Sequence, residues 1–558
     1  MEGLSPAIVI LGPGALATAR RLQAGLPGSL VHGLAGRVEG DVSYSAFGDH
    51  LRDLYRQQRP LLVLCAAGIV IRSLASLLDD KTAEPPVLAV AEDGSAVVPL
   101  LGGLAGANRL ARQLGTLLNV APAITTSGEL RFGTCLLDPP AGYALADVDV
   151  AKHRVADLLA GAPVRIEGEA PWLDEVPLAR DPAARQRILV SPLASADDHT
   201  LLIHPRAVLV AARADATATA VTALLASAGY APGAVALLLA RAEDMAAPGL
   251  AELSQTLAVP LRFVDTRTPD FARASVARAQ AQAQGLALHL HDRPLDAEDL
   301  GQRRGRLSVV GLGPGAAELM APVVRRALDQ AQDVLGYATY VQMAGPLRPD
   351  QLAHASDNRE ELQRARHAFE LAASGRQVVM VSSGDPGVFA MAAAVLEVLE
   401  GADDPRWAAV ELEILPGITA AMASAALAGA PLGHDFCLIS LSDNLKPWAV
   451  IEQRLRQAAA ADLAMAFYNP ISKARPHQLE RALDVLRSCR PANTPVILGR
   501  DVGRPGGGLE YTSLGALRSD MVDSRTLVIL GSSHTRRFKR ADGGEWVYTP
   551  RWYDPELL

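Results

Sequence analysis

Cysteine is scarce. The 558 residues hold four, Cys65, Cys135, Cys437 and Cys489, and no Cys-x-x-Cys pair. That excludes a disulfide framework and a cysteine-based zinc site, and free thiols suit a reducing compartment. Aromatic residues make up only 4%, so the cores must be built from Ala, Leu and Val. Basic residues are outnumbered, and the formal net charge is -8. No basic patch is available to track phosphates, which argues against nucleic acid as a partner. No run of about 20 apolar residues is free of charge and turn residues. The N-terminus lacks a basic segment followed by an apolar run and a cleavage site. A cytoplasmic protein without a metal site or a membrane partner is expected.

What is present is alternation. The chain is too long for one core. In residues 1–140, short apolar runs such as "AIVILG" and "LLVLCAAG" end in glycine and are followed by helical patterns, as buried parallel strands are. Residues 141–204 are rich in Pro, Asp and Ala and have weak periodicity. Residues 205–292 return to a smaller α/β pattern. "DRPLDAEDLGQRRGR", Asp292 to Arg306, is polar, of mixed charge and without an apolar period, which predicts a linker over 293–305 with an exposed, protease-sensitive tip. From 306 to 558, seven strand-like runs each end in a special loop. Ligands of open α/β sheets bind outside the carboxyl ends of strands, so those seven ends are where function should sit. The run divides into subdomains at about 306–428 and 429–558.

Two runs share one shape: "VILGPGALATARRL" (Val9 to Leu22) and "VVGLGPGAAELMAP" (Val309 to Pro322). Gly311, Gly313 and Ala316 satisfy the dinucleotide pattern G-x-G-x-x-A, which alone is a weak signal. Pro314 removes a backbone N–H from the turn that would cradle pyrophosphate. The next strand, read as Asp333 to Val341, ends in Gln-Met-Ala-Gly with no acid to hold a ribose diol. A nicotinamide oxidoreductase is therefore the outside alternative. The loops "SSGDPGVFAM", "LPGITAAMASA", "AFYNP" and "GRDVGR" instead describe a pocket poor in charge and rich in bare backbone.

These four motifs, in this order, resemble the tetrapyrrole (corrin/porphyrin) methylases. Within that family, "GYATYV", "SDNREELQRARHAFELA", "APLGHDFCLISLSDNLKPW" and "FYNPISKARPHQL" are similar to the branch that methylates precorrin-3B at carbon 17. The resemblance implies an α/β fold: N-terminal α/β modules followed by a two-subdomain methylase. It implies S-adenosylmethionine as cofactor, S-adenosylhomocysteine as its product, and precorrin-3B or a cobalt-precorrin as substrate. A homodimer and hand-over to other corrin-pathway enzymes are expected from the same source. By resemblance Pro314, Ser383, Gly384, Asp385, Val388, Thr419, Ala420 and Asn469 bind the cofactor. Gly313, Gly315, Arg359, Ser442 and Lys446 are the substrate candidates. Ring contraction needs a general base, and His434, Asp435 and Asp443 are the candidates, with His434 first because Asp435 can orient it.

Residues 1–292 more loosely resemble the cobalamin biosynthesis protein G family, the cobalt-precorrin-5A hydrolases, through "CAAGIVIRSLASLLDDK", "AEDGSAVVPLLGGLAGANRLARQL" and "APAITTSGELRFG". Two positions depart. Leu104 and Ala105 stand where relatives carry histidine, and Val210 to Ala214 replace a glycine-cysteine turn. A non-catalytic binding module is therefore expected, against the alternative of an active hydrolase fused to a cobalt-precorrin methylase.

Overall fold

A computed structural model describes residues 5–79, 84–194, 197, 199–265, 281–283, 285–357, 360–472 and 474–552. The first sheet is β1 (Ala7–Ile10), β2 (Leu30–Leu34), β3 (Val42–Tyr44), β4 (Leu61–Leu64), β5 (Val87–Val90) and β6 (Val97–Leu101), in the order β3-β2-β1-β4-β5-β6. Only β6 runs antiparallel to its neighbour. The fully buried apolar strands β1, β4 and β5 are what a sheet covered on both faces requires.

One polar device sits inside this core. His32 on β2 is buried, and its Nδ1 lies 2.9 Å from Nε2 of His50, whose ring stacks on Tyr44. Burial, then the neighbouring His50 and Arg59, hold the His32 pKa well below its ordinary 6.5. A group whose folded pKa is depressed leaves the unfolded state holding more protons. The stability it confers is present above about pH 6.5 and lost as pH falls below it, by up to about 1.4 kcal/mol per pH unit. Hydrogen exchange at β2 should therefore show less protection at pH 5.5 than at 7.5, after correction for intrinsic rates. Equal opening free energies would contradict this.

The stretch with weak periodicity, 141–204, has a sheet of its own: β7 (Tyr143–Leu145), β8 (Val164–Glu167), β9 (Gln186–Val190) and β10 (Thr200–Pro205), ordered β7-β10-β9-β8. The next sheet contains β11 (Val208–Ala211), β12 (Val235–Arg241), β13 (Leu261–Val264), β14 (Ala281–Ala283) and β15 (Leu286–Leu290). The polar segment after it is not a loose tether. Asp292, Arg293, Asp296, Glu298 and Asp299 are exposed, but Phe263 and Gln302 exchange backbone hydrogen bonds at 2.8 Å. Arg304 Nε donates to the Ala409 carbonyl at 2.8 Å. Backbone pairing, invisible to hydrophobic periodicity, docks the second half of the segment.

The C-terminal region holds two five-stranded sheets. The first, β16 (Arg306–Gly311), β17 (Asp333–Tyr337), β18 (Leu352–Ser356), β19 (Gln377–Ser382) and β20 (Glu411–Leu415), is ordered β18-β17-β19-β16-β20 and is parallel throughout. The strand read as Asp333–Val341 stops at Tyr337, and Ala338–Met343 is helical. After the short β21 (Gly429–Ala430), the second sheet is β22 (Phe436–Ser440), β23 (Ala464–Tyr468), β24 (Pro495–Arg500), β25 (Gly508–Ser513) and β26 (Thr526–Leu530), ordered β22-β23-β26-β24-β25. A final hairpin joins β27 (Arg536–Lys539) to β28 (Glu545–Tyr548), which pairs with β21. All seven expected strands form. One points the wrong way for the expectation: β26 is antiparallel to β23 and β24. Its carboxyl end therefore lies opposite those of β22, β23 and β24 in the same sheet, and an apolar run reads the same in either direction.

Candidate functional site

The carboxyl ends of β16, β19 and β20 lie level, because Gly311 registers with Ser382 and Val310 with Leu415. Their loops pack backbone on backbone. Gly313 N–H donates to the Gly384 carbonyl at 3.1 Å, and Gly384 N–H to the Gly313 carbonyl at 2.8 Å. A Cβ on Gly417 would stand 2.1 Å from the Gly384 oxygen and 2.5 Å from the Gly311 oxygen. Only glycine fits there, which explains the bare-backbone loops.

Asp385 is the clamp of this cluster. Its Oδ1 accepts from Gly387 N–H at 2.8 Å and its Oδ2 from Gly417 N–H at 3.1 Å. One carboxylate thus joins the loop after β19 to the loop after β20. It does not cap the following helix, Met391–Glu400, whose N-cap is Ala390. Val388 N–H bonds back to the Asp385 carbonyl at 3.2 Å, so Ser383 to Val388 form one tight turn.

Thr419 is at the N-cap of the helix Ala420–Ala428 but makes no side-chain cap. Its hydroxyl instead meets Tyr468 Oη at 2.6 Å, and Tyr468 Oη accepts the Ala421 N–H at 3.0 Å. The phenol from the end of β23, in the second sheet, therefore does the capping. Burial raises the Tyr468 pKa, which keeps it a neutral hydroxyl at pH 7. Asn469 follows with φ +49 and donates from Nδ2 to Ser440 Oγ at 3.1 Å, tying the ends of β22 and β23. On the opposite wall, Arg504 Nε donates to the Pro314 carbonyl at 3.3 Å, and a Cβ on Gly315 would meet Arg504 Cγ at 2.5 Å.

The structure therefore brings Gly313, Pro314, Gly315, Ser383, Gly384, Asp385, Val388, Thr419, Ala420 and Asn469 onto one set of converging loops. Ser442, Asp443 and Lys446 follow β22 at the same end. Arg359 lies outside the described residues. His434 and Asp435 are not brought there. They precede β22 at its amino end, a strand length of roughly 16 Å away. The Nδ1 of His434 accepts the Asp435 backbone N–H at 2.8 Å, and the Asp435 carboxylate is 3.7 Å off, so Asp435 orients the ring through its backbone. Tyr468, Ser440 and Arg504 were not read from the sequence, since each acts through a partner remote in the chain.

Residues 306–517 match the tetrapyrrole (corrin/porphyrin) methylases, and residues 49–129 match the cobalamin synthesis G N-terminal family. The chain is 54% identical over 249 residues to a precorrin-3B C(17)-methyltransferase of a Sinorhizobium species, covering 45% of this chain and 97% of that one. The chain belongs to the tetrapyrrole methylases. It is also 46% identical over 261 residues to the cobalamin biosynthesis protein CobIJ of Mycobacterium tuberculosis, covering 45% of this chain and 50% of that protein. A crystal structure of the methyltransferase CobJ is 51% identical, with 44% of this chain and 100% of that one aligned at a TM-score of 0.42. S-adenosylmethionine is the cofactor of this family. The residues fit it: three bare-backbone loops and a helix start converge with no lysine or arginine among the cofactor candidates, as suits a ligand with a cationic sulfonium. Among the described residues no helix is long and apolar enough to cross a membrane.

Proposed function

We propose that residues 306–558 methylate precorrin-3B at carbon 17, with contraction of the macrocycle, leaving S-adenosylhomocysteine. The observation that carries this reading is the loop cluster clamped by Asp385 and Tyr468, on a chain 54% identical to a precorrin-3B C(17)-methyltransferase. The cofactor supplies an electrophilic methyl group. The macrocycle supplies the carbon nucleophile, so the C–C bond forms as the S–C bond breaks and sulfur keeps the electron pair. The protein's share is positioning, which alone is worth roughly 7–11 kcal/mol, and that accounts for a site without an obvious catalytic dyad.

Ring contraction removes a hydroxyl proton as a bond migrates. Asp443 is the one of the three candidate bases on the loop side of β22, and it takes that role here. Ser442 and Lys446 beside it, with Gly313 and Gly315 across the cleft, face the macrocycle. Residues 1–140, 141–204 and 205–292 form modules that support the second half, and the methylase divides at about 428. A homodimer through the second half is supported by the exposed apolar side chains Ile414, Ile418, Met422 and Leu427.

The test is incubation of the full chain with precorrin-3B and methyl-labelled donor, with and without cobalt in the ring. One label should enter the metal-free ring. Label entering only the cobalt ring would select the cobalt-precorrin alternative, and label in neither would overturn the methylase reading.

A further inference from the structure

Seven non-glycine residues among those described have positive φ, and three border this cluster: Phe389, Asn469 and Asp501. Asn and Asp tolerate the left-handed region because their short side chains bond locally. Phenylalanine has no such excuse. Phe389 holds φ +53 with 50% of its surface exposed. Neither backbone preference nor burial explains a large aromatic there, and glycine would relieve the strain. Something keeps the ring.

Its neighbours indicate what. One side packs on Tyr468, with ring centroids 5.2 Å apart and planes tilted by 56°. That phenol is fixed by Thr419 and Ala421, so the platform is rigid. Lys446 Nζ lies 6.0 Å from the Phe389 ring centroid, and burial lowers its pKa. The same loop is held by Arg475 donating to Asn444 Oδ1, and between them Leu445 is 92% exposed. An exposed aromatic face with one lysine ammonium over it suits a flat, polycarboxylated ring. The ammonium beside it would repel the cationic sulfonium cofactor.

Resting on the methylase reading, we propose that Phe389 is the stacking platform that positions the macrocycle, with Lys446 taking one of its carboxylates. The test uses the full chain as Phe389→Gly, Phe389→Leu and Phe389→Tyr. Three quantities are measured: S-adenosylhomocysteine affinity by calorimetry, equilibrium binding of an octacarboxylate porphyrin by fluorescence, and the KM for precorrin-3B. Phe389→Gly and Phe389→Leu should weaken porphyrin binding and raise KM about tenfold, the scale of one aromatic stacking contact. Cofactor affinity should stay within about twofold of wild type and the unfolding midpoint of Phe389→Gly should not fall, as expected when strain is released. Phe389→Tyr should behave as wild type. Cofactor affinity falling with porphyrin binding unchanged would assign the ring to the cofactor. A lowered midpoint with both affinities unchanged would make it structural. Either result overturns the proposal, as does a wild-type chain that binds no porphyrin. Porphyrin binding that depends on Phe389 in a chain that transfers no methyl would uphold the platform and sink the methylase reading instead.

Discussion

Replacing Asp385 by alanine should weaken S-adenosylhomocysteine binding by between about tenfold and a hundredfold, or roughly 1.4–2.8 kcal/mol. The expectation follows from what the carboxylate holds. Its two oxygens accept from Gly387 and Gly417; water can replace it at the exposed Gly387 N–H, but its loss strands the part-buried Gly417 donor, worth about 1 kcal/mol or more when unpaired. It also frees the loops after β19 and β20 from each other. Asp385→Asn discriminates: Oδ1 keeps its turn, while an amide nitrogen would face the Gly417 N–H. Its loss should be intermediate. Thr419→Val should cost less, about fivefold, because Tyr468 still caps Ala421. His434→Ala should leave cofactor affinity and turnover unchanged, since its strand end is remote from the loops. Calorimetry with S-adenosylhomocysteine reads all four variants. An Asp385→Ala protein that binds the cofactor as wild type does would remove the clamp from the argument.

Part of this site was legible in the sequence for a physical reason. Buried parallel strands are short apolar runs, and loops that must approach one another closely are written in glycine. Gly311, Gly384 and Gly417 could thus be placed on strand ends before their contacts were known. Asp385 was legible as a loop residue, while its clamping of Gly417, 32 positions on, was not. The Tyr468–Ala421 bond spans 47 positions and the Arg504–Pro314 bond 190, and no local pattern encodes either. Strand direction was equally hidden. Periodicity places β26 but cannot show that it runs against β23 and β24. The middle sheet escaped because its strands are short and carry charge, as Val164–Glu167 does over only four residues, or alternate only in part, as Gln186–Val190 does. Phe389 escaped for the opposite reason. An aromatic residue in an apolar stretch reads as core, and only its backbone angle and exposure show otherwise.

The full chain should release no acetaldehyde from a cobalt-corrin lactone above the uncatalysed rate. In the first domain, Gly102 and Gly106 hold positive φ at the ends of a short 3-10 turn, Gly103–Ala105. The loop conformation is thus present, but Leu104 and Ala105 put methyl groups where a histidine would move protons near pH 7. The carboxylates nearby are poor substitutes. Asp93 accepts from the Ser95 backbone at 3.0 Å and from its hydroxyl at 2.6 Å, which holds its pKa below the usual carboxylate range. Glu129 is buried against Arg112, and a paired, buried carboxylate is committed to its partner. The buried imidazole of His32 and the half-buried one of His50 face each other. Glu84 is engaged by the loop itself, its Oε2 accepting the Gly102 N–H at 3.2 Å, and Glu92 lies exposed beside Gly14. In the second module Ala212 N–H bonds to the Leu239 carbonyl, so the turn after β11 is sheet-bound and carries methyl groups where a glycine turn would admit a large ring. Structural support is the role that fits these residues: Arg304 reaches Ala409, and Gln302 Nε2 reaches the Ala373 carbonyl at 3.3 Å, seating the N-terminal modules on the methylase. Coupled alcohol-dehydrogenase detection of acetaldehyde provides the measurement. Release at a catalytic rate that Glu92→Gln or Glu129→Gln abolishes would restore the hydrolase and name its base.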